Sequence, residues 1–119
     1  GLVITFLDAV FFDVGKANLK PGVFPILDAL ADALKDVKNS IRIEGHTCDL
    51  PIHTSQFPSN WELSAARAIA VLRYLVEEKG LPPERLMAVG YGEYRPLAPN
   101  VDEEHRQKNR RVEIVILRD

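Results

Sequence analysis

The side chains best suited to chemistry concentrate between Gly45 and Ala68. The stretch reads Gly45-His46-Thr47-Cys48-Asp49, then a polar run containing Pro51, His53 and Pro58, then Asn60-Trp61-Glu62-Leu63-Ser64-Ala65-Ala66-Arg67-Ala68. His46, Cys48, Asp49 and His53 supply imidazole, thiolate and carboxylate, the ligand types of a zinc hydrolase that keeps one position open for water. Their His-x-Cys-x4-His spacing fits none of the standard zinc patterns, and no second cysteine pair exists. Neither Ser64 nor Cys48 sits in a nucleophile elbow with a base at defined spacing. No catalytic residue, metal or cofactor is expected, and the rival class, a metal-dependent hydrolase, ranks well behind binding. Arg67 suits binding, because a planar guanidinium recognises a carboxylate bidentately. At about 100° per residue it lies about 20° from Asn60 and roughly 100° from the centre of the apolar helix face. That shoulder position lets a side chain reach into a groove. Asn60 and Ser64 serve either the helix start or such a groove, and Thr47 either caps a strand end or lines it.

The elements that must position these residues follow from periodicity. Leu2 to Leu7 is a short run of β-formers that reads as a buried strand. From Pro21 to Val37, apolar residues recur at Phe24, Leu27, Leu30, Ala31, Leu34 and Val37, one face of an amphipathic helix. Ile41-Arg42-Ile43-Glu44 alternates as a half-buried strand does. Ser59-x-x-Glu62 is a capping box, and Trp61, Ala65, Ala68, Val71, Leu72 and Leu75 share the apolar face of a helix that Gly80 and Pro82-Pro83 stop. Leu86 to Gly90 reads as a third strand, with Gly90 and Gly92 required by the turn that follows. Residues 101 to 108 are polar enough for a loop or a helical turn, and Arg111 to Leu117 forms the last strand. The order β-α-β-α-β-(loop)-β predicts an α+β sandwich: a mixed four-stranded sheet with helices on one face and solvent on the other.

The 119 residues fit one domain, 1–119, able to bury a single core. A formal net charge of -2, with acids and bases interspersed, gives no footprint for nucleic acid. No apolar run approaches the roughly 20 residues of a membrane helix. The chain opens on Gly1 rather than Met, so a trimmed piece of a longer protein is expected. One cysteine makes no internal disulfide; an exposed Cys48 would instead be open to an intermolecular one.

Four pieces in order, Gly45-His46-Thr47, Asn60-x-x-Leu63-Ser64-x-x-Arg67-Ala68, Gly90-Tyr91-Gly92 and Asn109-Arg110-Arg111-Val112-Glu113-Ile114, resemble the OmpA-like peptidoglycan-binding domain over nearly the whole chain. Residues 57 to 64 and 91 to 96 look most like its flagellar-stator branch, the C-terminal periplasmic domain of MotB. The resemblance implies a non-catalytic cell-wall anchor on the periplasmic side of an inner-membrane protein, with a homodimer and a MotA-like partner as its company. An outer-membrane porin or lipoprotein anchor is the alternative within the family, and a scaffold that has lost its ligand and only dimerises is a third possibility. It further implies that Arg67 pairs with a carboxylate of the diaminopimelate stem peptide, with Thr47, Asn60, Leu63, Asp13 and Arg110 near the ligand. The family aspartate that meets the ligand ammonium falls at Cys48. A neutral thiol offers an ammonium no charge, so binding is expected to be weakened. The adjacent Asp49 is not an automatic replacement, because neighbours in extended chain point in opposite directions.

Overall fold

The computed structural model describes residues 1–118. Strand β1 (Leu2–Leu7) runs directly into a single helical turn, α1 (Asp8–Phe11), which drives Phe11 into the core. A 3₁₀ turn at Pro21–Val23 leads into α2 (Phe24–Leu34), whose buried residues Leu27, Leu30, Ala31 and Leu34 are those the periodicity selects. The helix ends three residues before Val37, whose amide closes a tight turn onto the Leu34 carbonyl. Strand β2 (Ile41–His46) and the polar loop precede α3 (Asn60–Arg73), which continues as a π-helical turn over Tyr74–Glu78 and stops at Gly80, φ +75°. Ser59 caps α3: its hydroxyl oxygen accepts from the Trp61 amide and its proton goes to Glu62. Strand β3 (Leu86–Gly90), α4 (Glu103–Asn109) and β4 (Arg111–Ile116) complete the chain. Of the two readings open for residues 101 to 108, the helical turn is the one adopted, with Asp102 as its cap.

The sheet order is β1-β4-β2-β3, with β4 antiparallel to both neighbours and β2 parallel to β3. This is the mixed four-stranded α+β arrangement expected. Ile43 and Ile114 meet across the central pair and pack with Leu27, Leu34, Val71 and Leu75 in the core beneath the helices. Two expectations need correction. The first strand is an edge strand, not a buried one: Leu2, Val3 and Leu7 are half-exposed or more, because β1 pairs only with β4. The face away from the helices is also not simply solvated. Glu44, His46 and Arg111 are buried there, beneath Tyr91, which stacks on His46, and the Arg95 carbonyl, which accepts from Arg111.

Helix α3 lies unusually close to the sheet because Gly45 and Gly90 are register partners on β2 and β3. A Cβ on Gly45 would fall 2.1 Å from the Ser64 carbonyl oxygen, and one on Gly90 would fall 2.4 Å from the Ala65 amide nitrogen. Gly90 is therefore a close-approach residue rather than a turn residue, whereas Gly92, φ +61°, is required by its turn as expected. Ser64, fully buried, donates to the Trp61 carbonyl and accepts from the Gly92 amide, so its role is to tie α3 to that turn. Backbone against backbone leaves nothing flexible to give way. Gly45→Ala or Gly90→Ala should destabilise the domain by about 3 kcal/mol or more, read as a fall in urea midpoint; an unchanged midpoint would contradict this packing.

Candidate functional site

A cleft of about 650 Å³ opens where α1 and the turn after it face the 47–52 loop, the start of α3 and one side of α4. Its walls are largely apolar, including Leu7, Phe12, Leu50, Ile52 and Leu63, and its polar groups are few and placed. Arg67 projects from α3 into this space and is only 4% exposed. Its guanidinium is fixed at three points: Nη1 donates to Asp8 Oδ2 at 2.6 Å, Nε to the Lys16 carbonyl at 2.8 Å and Nη2 to the Asp13 carbonyl at 3.2 Å. The Phe12 ring lies beneath it, 4.9 Å from centroid to Cζ. Burial pushes the Arg67 pKa down, the Asp8 carboxylate opposes that, and nearby Arg110 adds to the lowering.

Arg110 is the second cation. It leaves the end of α4, ion-pairs with Glu103 and donates from Nη1 to Cys48 Sγ at 3.2 Å. Glu103 raises its pKa most, burial opposes this, and Cys48 adds to the rise. Two cation–carboxylate pairs, Arg67–Asp8 and Arg110–Glu103, thus face one apolar cleft with Cys48 among its lining residues.

The structure brings Arg67, Cys48, Thr47, Asn60, Leu63 and Arg110 to the cleft. Thr47 and Asn60 also shape the loop: the Thr47 hydroxyl donates to the Cys48 carbonyl, and the Asn60 amide to the Cys48 and Leu50 carbonyls. Two expected residues do not line it. Asp49 turns away and pairs with Arg106 at 2.9 Å, and Asp13 contributes its carbonyl to Arg67 while its side chain stays outside. Cys48 is buried, which corrects the idea of an exposed thiol open to an intermolecular disulfide. Phe12 belongs both to the buried core and to the cleft lining. Sequence reasoning missed Asp8, Glu103 and Gln107. Asp8 lies in a four-residue turn with no periodicity to reveal it. Glu103 and Gln107 stand i and i+4 on α4, a spacing that would have shown them had a helix been assigned there.

The OmpA family profile matches residues 11–110. The chain belongs to the OmpA family. This OmpA-family chain is 44% identical to protein YtxE and 43% identical to motility protein B, both of Bacillus subtilis, over 98% of its length. It spans about half the length of those curated relatives, 48% and 45% respectively. The cell wall anchor of the type VI secretion system (T6SS) from Pseudomonas aeruginosa superposes with a TM-score of 0.91 at 37% identity, covering 98% of this chain and 81% of that one.

His46, Cys48, Asp49 and His53, tested above as a metal set, have different partners: Glu44, Arg110, Arg106 and the Pro58 carbonyl. Glu44, His46 and Glu113 do place ligand atoms within 4.8 Å of one another on the far face of the sheet. Arg42 and Arg111 already neutralise those carboxylates, at 2.7 and 2.5 Å, so a cation would have to displace both. His46 donates from Nε2 to Glu44, and its buried Nδ1 takes no partner among the described residues, which is the neutral tautomer. Burial is the largest influence on His46 and lowers its pKa below the ordinary 6.5, with Glu44 opposing. The unfolded chain then takes up a proton that the folded one refuses, so stability should fall as pH drops below 6.5. Urea titrations from pH 7.5 to 5 should show this slope, and His46→Gln should flatten it. An equal slope in both proteins would rule His46 out as its source.

Proposed function

We propose that this domain is a non-catalytic anchor that binds peptidoglycan on the periplasmic side of the inner membrane, within a flagellar-stator-type protein. The observation that carries the reading is the pair of oriented guanidinium groups, Arg67 and Arg110, at an apolar-walled cleft that also holds carboxylates. Such a site suits a zwitterionic amino-acid end, and the diaminopimelate of the stem peptide has that chemistry. Arg67 retains donors after its internal bonds are counted, Arg110 supplies a second cation, and Thr47, Asn60, Leu63 and Cys48 shape the walls. Asp49 and Asp13 have indirect roles, by holding Arg106 and by presenting a carbonyl to Arg67.

The stator assignment rests on the likeness to motility protein B, and a homodimer with a MotA-like membrane partner goes with it. Among the described residues no helix is long and apolar enough to cross a membrane. The likeness to the T6SS cell wall anchor favours a second reading, in which the ligand is the same and the tethered machine differs.

Sedimentation with purified peptidoglycan tests the ligand. The domain should pellet with the sacculi, and Arg110→Gln should weaken binding by about 2–5 kcal/mol, more than tenfold, with its melting temperature nearly unchanged. Arg67→Lys, which keeps charge but loses the fork, should weaken it similarly. A folded domain that stays in the supernatant would sink the anchor reading.

A further inference from the structure

We infer that Asp8 receives the ammonium of the ligand, in place of the residue that follows Thr47, and does so while still holding Arg67. The inference rests on the peptidoglycan reading and assigns a role that the sequence left vacant at Cys48.

Cys48 carries no carboxylate, Asp49 points outward to Arg106, and the Asp13 side chain is outside the lining. That leaves Asp8 and Glu103. Glu103 commits both carboxylate oxygens to Arg110, and its side chain is 58% exposed, where water screens a further charge. Asp8 differs on both counts. Its side chain is 14% exposed, and only Oδ2 is engaged, so among the described residues Oδ1 takes no hydrogen bond. The carboxylate is also fixed, because the Asp8 amide donates to the Arg110 carbonyl and its own carbonyl accepts from the Phe12 amide.

Arg67 completes the receptor. A guanidinium has five N–H donors, and three are occupied by Asp8, Lys16 and Asp13. One N–H on each Nη remains, on the same guanidinium that Asp8 engages through Oδ2. A carboxylate on those donors and an ammonium on Asp8 Oδ1 extend the existing ion pair into an alternating array of four charges. No internal bond has to break. In a cleft with apolar walls each of these contacts is stronger than it would be in water. Ligand recognition then needs an acid and a base that are already paired with each other, and the position after Thr47 is free to carry a thiol.

The test uses a stem tripeptide ending in diaminopimelate, with its side-chain amino group either free or acetylated, measured by calorimetry. The domain should bind the free-amine peptide at least tenfold more tightly than the acetylated one. Asp8→Asn, which keeps an acceptor for Arg67, should bring that ratio close to one, whereas Glu103→Gln, although it loosens Arg110 and lowers the affinity for both peptides, should still leave the free amine favoured at least tenfold. Adding Cys48→Asp to Asp8→Asn should restore the ratio, which loss of a merely structural residue would not permit. The assignment is overturned if Asp8→Asn keeps the discrimination, or if Glu103→Gln abolishes it. It is also overturned if the unaltered domain binds both peptides equally, a result that leaves the anchor reading standing. Should Asp8→Asn fail to fold, the Glu103→Gln ratio and that of the unaltered domain can still overturn the assignment. Binding to neither peptide would remove the peptidoglycan reading and this assignment with it.

Discussion

The site depends on how the Arg67 guanidinium is buried. A cation taken out of water is tolerated only where it is paired and its donors are directed. Here the partners come from Asp8 and from the carbonyls of Asp13 and Lys16, all at the other end of the chain from β4 and far in sequence from α3. One side chain therefore sets the course of the connection after β1, holds α1 against α3 and defines a wall of the cleft. Because Asp8 also bonds through its backbone to Arg110, the two arginines are positioned by the same residue.

The second constraint is steric. Gly45 and Gly90 let the α3 backbone approach β2 and β3, and Ser64 converts that approach into hydrogen bonds that fix the turn at Gly92. The start of α3, where Asn60, Leu63 and Arg67 reach the cleft, is thus registered against the ends of two strands. The residues that set the approach of α3 to the sheet are small ones, and those that give the site charge are few.

Much of this was readable in advance. Helix α3 announced itself by a cap, an apolar face and a glycine stop, and the alternation at Ile41 to Glu44 and at Val112 to Ile116 placed the two central strands. Arg67 stands out through the Leu63-Ser64-x-x-Arg67-Ala68 motif of the resemblance, and its wheel position, off the core stripe, supports it. What escaped was set by contacts with no local signature. Strand β1 is as apolar as an internal strand, and only sheet order makes it an edge. Asp8 looks like any acid at a strand end until Arg67 arrives from 59 residues away. The buried row Glu44-His46-Arg111 follows alternation in its direction but not in its burial, because Tyr91 and Arg95 fold across it.

The direction of β1 has a mechanical consequence. The strand runs from Leu2, opposite Ile116, to Leu7, opposite Arg111, and the cleft begins at the next residue. Tension applied between Gly1 and the cleft therefore acts along the strand axis. It loads the whole β1–β4 ladder in shear instead of peeling it open one pair at a time. Yielding of that ladder then requires many hydrogen bonds to fail together, and the rate of that event, not the equilibrium stability, sets its resistance to force.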